Sequence, residues 1–413
     1  MSTKEVKQEI VVNEKALIAI LFAIQFTHIM DFVIMMPLGP KFMRFFAIGP
    51  SEFSIVVSAY TFAAAIAGIV ASFFMDLFDR KSALVILYIG FIIGTLACAI
   101  APTYETLVLA RITAGGFGGI LGALIFSVIG DVIPEERRGK ATGTVMAAFS
   151  VASVIGIPTG LFLAETFHWH APFIFLTLVG FVVLFFIVKE MPNLKGHMKA
   201  VSNEVMTKKQ TAQKMLTEFK IIFSDSNHQK AFMLSVAIML SGFMVIPFVP
   251  PYMVNNVGLT EKELPYIYFF GGLCTFVTSR MIGAFSDKYG KFKMFSIVAP
   301  LSMIPILIVT NLPPVSLAIA LMCSTMFFVL VSGRFVPVMA IITSSTVKEK
   351  RGAFMSLNST IQMMATGSAS LIAGKLIQQS SDGKLVGFQT TGIIACVLTI
   401  LSIFLAKRVK VVQ

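Results

Sequence analysis

Ser72-Phe-Phe-Met-Asp76-Leu-Phe-Asp79-Arg80-Lys81 and Gly283-Ala-Phe-Ser-Asp287-Lys288-Tyr-Gly290-Lys291-Phe-Lys293 stand about half the chain apart, each a short polar link between two long apolar runs. A second pair repeats at nearly the same separation: Glu136-Arg137-Arg138-Gly139-Lys140-Ala141 and Glu349-Lys350-Arg351-Gly352-Ala353. Two independent pairs with one offset indicate an internal duplication. Halves that repeat in this way, related by an axis along the membrane normal, occur in one large class of transporters.

Composition supplies the solvent. Of 413 residues 56% are hydrophobic and 13% charged, and the mean hydropathy is +0.85, more apolar surface than one water-facing core hides. A spanning helix needs about 20 mainly apolar residues. Twelve such runs are predicted, near 16–38, 53–74, 82–101, 106–130, 141–164, 171–188, 229–254, 263–284, 294–311, 316–343, 354–378 and 388–406. The expected fold is therefore an all-α membrane protein: twelve transmembrane helices in two pseudo-symmetric six-helix bundles, residues 1–188 and 229–413, joined by a linker over 189–228. In that linker Met215, Leu216, Phe219, Ile222 and Phe223 recur at helical spacing opposite Lys214, Glu218 and Lys220. An amphipathic helix on the inner membrane surface is one reading, with Lys208 and Lys209 drawn to anionic lipid; a solvated linker helix is the other.

The net charge of +12 would suggest nucleic acid in a soluble protein. Here most Lys and Arg fall in the segments on one side of the predicted membrane, while the other side carries only Lys41, Arg44, Lys262 and Lys384. That bias puts both termini in the cytoplasm. The basicity thus reports topology, and nucleic-acid binding is not expected. Cys98, Cys274, Cys323 and Cys396 all lie inside apolar runs without zinc or redox spacing, so no metal and no cofactor is expected. The first apolar run lacks a cleavage signature and is expected to remain as a span.

The two loop copies resemble the link between spans two and three of the major facilitator superfamily, Gly-x-x-x-Asp-Arg-x-Gly-Arg-Arg. Gly283, Asp287, Lys288, Gly290 and Lys291 follow it well; in the first copy Ser72, Leu77 and Asp79 depart from it, while Asp76, Arg80 and Lys81 remain. Met30-Asp31 with Pro37-Leu-Gly39-Pro40, Ser58-Ala-Tyr60, Leu107-Val-Leu-Ala-Arg111 with Gly115-Gly116, and Trp169-His170-Ala-Pro172-Phe173 are similar to the twelve-span drug/proton antiporters and, within them, to arabinose-efflux-type permeases. The antiporter motif of span five, usually Gly-Pro-x-x-Gly-Gly, appears as Gly156-Ile157-Pro158-Thr159-Gly160. That shift leaves the direction of antiport open. The resemblance implies that spans one, four, seven and ten line a central cavity. It also implies that the loop motifs latch the halves together in the outward-facing state, through Asp76, Arg80 and Asp131 in the first half and Asp287, Lys288 and Lys291 in the second. Asp79 beside Arg80 is where that gating would differ from the family pattern.

Ionisable groups inside spans are costly and mark function by default. Asp31 is the one acid away from the predicted helix ends. At helical periodicity Gln25, His28, Asp31 and Met35 share a stripe, which is expected to face the cavity. Burial disfavours a charged carboxylate, so Asp31 is the candidate for the coupling proton, with His28 as partner or relay. The alternative is an Asp permanently paired to an Arg that fixes helix packing. Arg111 and Arg334 also fall within cavity spans, and either could pair with Asp31. Two Arg and a His against one Asp point to a neutral or partly anionic substrate.

The leading expectation is a proton-coupled secondary transporter exporting a small molecule, monomeric in a bacterial inner membrane. A symporter or facilitator importing a nutrient, and a transport-dead receptor, are the alternatives. No nucleotide-binding loop and no convergent catalytic set is visible, so an enzyme is not expected.

Overall fold

The computed structural model describes residues 13–72, 75, 78–192, 194, 217, 219–347 and 350–412. Among them, eleven helices are long and apolar enough to cross a membrane: Glu14–Ile34 (span one), Pro50–Ser72 (two), Arg80–Ala99 (three), Tyr104–Val132 (four), Glu135–Thr166 (five), Ala171–Glu190 (six), Ser226–Val257 (seven), Glu261–Tyr289 (eight), Lys291–Thr310 (nine), Leu317–Thr343 (ten) and Phe388–Arg408 (twelve). A further long helix, Arg351–Leu376, is span eleven. It fails the apolarity criterion because Ser356, Asn358, Ser359, Thr360, Gln362, Thr366, Ser368 and Ser370 interrupt it. It packs against spans two and seven, so much of that polar surface is turned away from lipid. Small residues permit the approach: a Cβ at Gly374 would lie 2.3 Å from Ser54 Oγ.

The ends of the spans are set by polar residues that satisfy the orphan amides of the first turn. Asn13 accepts from Ala16 N to start span one, Thr103 and Thr106 form a capping box at span four, and Asp225 accepts from Asn227 N and His228 N at span seven. Those two bonds and the nearby His228 hold the exposed Asp225 carboxyl below its ordinary range. Among the described residues the one pair of strands is a two-residue antiparallel ladder, Gln378–Gln379 with Leu385–Val386, between spans eleven and twelve. Asn256 of span seven pins it through both backbone groups of Leu385.

Within the first half, span four packs on two and three, three on six, and one on five; within the second, ten packs on eight and nine, nine on twelve, and seven on twelve. The halves meet along two seams, two with eleven and five with eight. Exchanging the halves turns one seam into the other, as a two-fold axis demands. Span five carries a π-turn, Ala152–Gly156, just before Pro158. The proline has no N–H for the carbonyl four residues back, and the wider turn absorbs the mismatch. Of the linker, Lys208, Lys209, Lys214, Met215, Leu216 and Glu218 lie outside the described residues. Ile222 is buried in the core of the second half, while Phe223 is exposed.

The end with loops 35–49 and 258–263 is called outer and the end with the links after spans two and eight inner, after the topology expected from the charge bias. At the outer end one apolar core runs through both halves, taking in Phe42, Phe53, Phe248 and Tyr252, with the Phe53 and Phe248 rings 6.0 Å apart. Toward the inner end the core divides into one cluster per half. Ionic contacts follow the same division. Lys41 bridges Glu165 of span five at 2.8 Å and Glu261, at the start of span eight, at 2.9 Å, and Arg44 also pairs with Glu261. Inner-end pairs such as Arg80–Asp131 and Arg137–Glu14 stay within one half. The molecule is thus closed at its outer end.

Partly exposed ion pairs are each worth on the order of 1 kcal/mol, so losing both pairs at Glu261 should shift the balance roughly fivefold or more toward outer opening. The check is the maleimide labelling rate of Phe53→Cys, above the background of the native cysteines. Glu261→Gln is expected to raise it severalfold, and an unchanged rate would remove these pairs from the closure.

Candidate functional site

Span one brings Asp31 to the interior of the first half, where its side chain has no exposure. Arg111 of span four donates from Nη1 to Asp31 Oδ2 at 2.7 Å, and Thr95 of span three donates to Oδ1 at 3.1 Å. The Arg111 guanidinium lies 4.3 Å from the Tyr60 ring centroid, a cation–π contact that fixes its plane. Of the two arginines expected to compete for Asp31, the structure pairs it with Arg111. Sealing two charges from water costs several kcal/mol per ion, offset only when geometry is good and hydrogen bonds complete the pair. The Thr95 bond and the Tyr60 face contribute that completion.

Around the pair the completion stops short. Arg111 Nε and Nη2, Tyr60 Oη, His28 Nδ1 and Nε2, and Gln25 Oε1 are all buried with no hydrogen-bond partner in the protein. Buried polar atoms are nearly always satisfied, and the five on Arg111, Tyr60 and His28 adjoin one another, while Gln25 lies one turn before His28 on span one. Gly118 of span four draws Tyr60 and His28 together, since a Cβ there would lie 2.6 Å from Tyr60 Oη and 2.9 Å from His28 Cδ2. Of the stripe expected on span one, His28 and Asp31 adjoin this cluster through Tyr60 and Arg111, while Met35, fully buried, joins the outer apolar core. Phe32 on the next face stacks near Tyr60 at 5.3 Å and reaches Phe243 of span seven at 6.3 Å, so the cluster abuts the boundary between the halves.

The span-five motif packs beside this pair. Cβ atoms at Gly156 and Gly160 would lie 2.7 Å from Met30 Sδ and from Ile34 Cδ1 respectively, so the glycines let span five press on the two sides of Asp31. Pro158 sits in the first turn after the π-turn. On the other side of that turn, a Cβ at Gly272 of span eight would come within 2.9 Å of Ser153 O.

Arg334 lies elsewhere. Span ten stays helical through this residue, whose N–H bonds Leu330 O and whose carbonyl accepts from Val338 N, although Pro337 has no N–H for the carbonyl of Gly333; the side chain turns into the second half with no exposure. Nη1 donates to Ser302 Oγ of span nine at 3.2 Å and to Thr399 Oγ1 of span twelve at 2.8 Å, and Thr399 is joined to Ser241 of span seven at 2.7 Å. No carboxylate among the described residues pairs with it. The halves therefore repeat their loops but not their charges: at the loop offset, Asp31 and Arg111 correspond to stretches 242–244 and 322–324, which carry no ionisable side chain but Cys323.

The loop-motif residues sit at the inner end. Arg80, buried, donates from Nε to Asp131 Oδ2 at 2.8 Å. Asp79 caps span three, accepting from Ser82, and also accepts from Leu194 N at 2.7 Å, which ties the segment after span six to its own half. Asp76 lies outside the described residues. In the second half Gly290 has φ of +98°, the left-handed region that suits glycine, and ends span eight; Lys291 donates to Ser344 Oγ at 2.6 Å. Gly283 lies next to Val336, Asp287 and Lys288 are exposed, and Asp287 forms no ion pair among the described residues.

The sequence marked Tyr60 only as part of the Ser58-Ala-Tyr60 stretch and did not distinguish Thr95, Ser302, Thr399 or Ser241. Hydroxyls inside spans usually bond their own helix, as Thr399 does to Ala395 O and Ser302 to Ala299 O, so nothing in the sequence singled these out.

The family model described as Major Facilitator Superfamily matches residues 21–331 and 231–412. An uncharacterized MFS-type transporter, YceJ of Bacillus subtilis (strain 168), is 23% identical over 392 residues, covering 94% of this chain and 95% of that protein. A probable sugar efflux transporter of Pasteurella multocida (strain Pm70) is 21% identical over 240 residues, 58% of this chain and 56% of that protein. Among solved structures, a D-xylose-proton symporter superposes with a TM-score of 0.75 at 15% identity, covering 94% of this chain and 96% of that one.

A double-mutant cycle checks the pairing by unfolding of the purified protein in detergent. Asp31→Ala is expected to cost about 3–5 kcal/mol by leaving Arg111 buried and unpaired, with much of that recovered in Asp31→Ala/Arg111→Met. Strict additivity would show that the two charges do not depend on each other.

Proposed function

The chain belongs to the major facilitator superfamily, and from that premise we propose that this transporter is a proton-coupled exporter of a small neutral or partly anionic compound. The observation that carries the reading is the sealed Asp31–Arg111 pair, with two unpartnered nitrogens on Arg111 itself and unpartnered polar atoms on Tyr60 and His28 beside it. A pair alone would be packing. A pair surrounded by unused donors and acceptors has capacity for a polar ligand.

The chemistry follows from what one proton does to the pair. With Asp31 ionised, Arg111 is neutralised and its Nη1 occupied. A proton on Asp31 removes the charge that holds Arg111 and turns the carboxyl into a donor, so the guanidinium becomes free to engage an acceptor on the substrate or to relax toward Tyr60. His28 and Gln25 lie on the inner-end side of Asp31 along span one and form the polar route by which a proton from that side reaches it. Proton and substrate then influence one charge, which is the coupling that secondary transport requires.

Alternating access is supported by closure at one end only. With the outer end shut by Lys41, Glu165, Glu261 and the Phe53–Phe248 contact, the inner end is the open one, and by the charge bias it faces the cytoplasm of a bacterial inner membrane with both termini on that side. On this reading Arg80–Asp131 and Lys291–Ser344 are held within their halves, ready for the latch that Asp76, Asp131, Asp287 and Lys288 form in the outward-facing state. The likeness to a probable sugar efflux transporter supports the outward direction.

Stabilisation by a panel of sugars and amphipathic carboxylates, at two pH values, identifies a ligand. Inverted vesicles with an imposed pH gradient then report on coupling. Gradient-driven accumulation is expected to fall more than tenfold in Asp31→Asn while binding persists; accumulation that ignores the substitution would remove Asp31 from the coupling step, and accumulation only under the reverse gradient would make the protein an importer.

A further inference from the structure

A buried guanidinium with no carboxylate is an expensive thing to keep. Moving an unpaired charge out of water costs far more than a hydroxyl returns, yet Arg334 has only Ser302 and Thr399, both on Nη1. Its Nε and Nη2 have no partner. These two nitrogens form the side-on edge of the guanidinium, whose parallel N–H groups match the two oxygens of a carboxylate. The edge that recognises an anion is thus the one left whole.

In this closed conformation the edge is sealed, with Gly242, Ile246 and Phe335 close by, so an anion reaches it only when spans seven and ten move apart. Gly242 offers Nη2 no side chain, and a Cβ there would lie 3.8 Å away. Span seven loses its regular helix just beyond, through Met244 and Val245 to the short 3-10 turn Ile246–Phe248, where Pro247 cannot bond the carbonyl of Phe243. Span ten stays helical through Arg334, but Pro337, three residues on, leaves the carbonyl of Gly333 without its helical donor. Interrupted helices in the membrane interior are where secondary transporters place ligand groups. The carbonyls at the end of the first part of span seven could have satisfied the arginine, but they make no hydrogen bond to it.

We infer that Arg334, with the Ser302, Thr399 and Ser241 hydroxyls behind it, is a binding site in the second half for a monovalent anionic group, a carboxylate or a halide. The site does not depend on proton coupling at Asp31. A carboxylate would take the Nε and Nη2 donors together; a halide would sit between them. The hydroxyl chain Arg334–Thr399–Ser241–Ala395 O holds the guanidinium plane so that the free edge keeps its direction.

Thermal unfolding of the purified full chain, with sodium chloride or sodium acetate titrated against sodium methanesulfonate at constant ionic strength, tests the site. A saturable rise in unfolding temperature with chloride, acetate or both is expected, and the stronger response tells whether a free halide or a substrate carboxylate is the natural occupant. Arg334→Gln should abolish it, and Arg334→Lys should weaken the acetate response at least tenfold by removing the fork. Should Arg334→Gln fail to fold, Thr399→Val is expected to raise the half-saturating concentration severalfold. No saturable response to either anion, or a response unchanged by the substitutions at positions 334 and 399, would overturn the assignment.

Discussion

A carboxylate and a guanidinium held 2.7 Å apart without water constrain everything packed around them. In so dry a place neither charge is tolerable alone, so spans one, three and four must keep Asp31, Thr95 and Arg111 in register. Tyr60 of span two closes the remaining face. The glycines of span four answer to the same requirement. A Cβ at Gly115 would lie 2.3 Å from Tyr60 O, so spans two and four meet backbone to backbone at the level of the pair. Protonation is the one small change that lowers the cost of separating the partners, which is why a rigid core can also be a switch.

The duplication gives the architecture its symmetry, and the charges break it. One half holds a compensated pair, the other a single arginine among hydroxyls, and each sits where its half's helices are closely packed or interrupted. The first arrangement suits a proton, the second an anion. Their separation across the two halves means that a rocking motion about the seams two–eleven and five–eight changes the distance between two differently charged sites rather than between two copies of one. The π-turn of span five lies on the second seam and also packs on Met30, the neighbour of Asp31 in span one.

Much of this was legible in the sequence, for physical reasons. Apolar runs of spanning length suit little besides a bilayer, and the helices begin and end within a few residues of the expected positions; span five starts earlier, at Glu135, because its first turns are the polar stretch after Pro134. Asp31 stood out because a lone acid in a span is costly. What stayed hidden was tertiary. The choice of Arg111 over Arg334 depends on how deep spans one and four lie against each other, which periodicity does not report. Lys41, Glu165 and Glu261 look like ordinary loop charges until the halves are brought together. Asp79 reads as an extra acid beside Arg80, yet its carboxylate is occupied by Ser82 and the amide of Leu194, contacts that only the fold creates.

The central claim is that Asp31 changes its protonation during the cycle rather than remaining an ionised packing element. Infrared difference spectroscopy on the protein in lipid, comparing acid and alkaline media with and without ligand, reads the carboxyl stretch directly. A protonated-carboxyl band that titrates, moves on ligand addition and disappears in Asp31→Asn is the predicted result. A spectrum in which no such band depends on Asp31, at any pH where the protein stays folded, would contradict it.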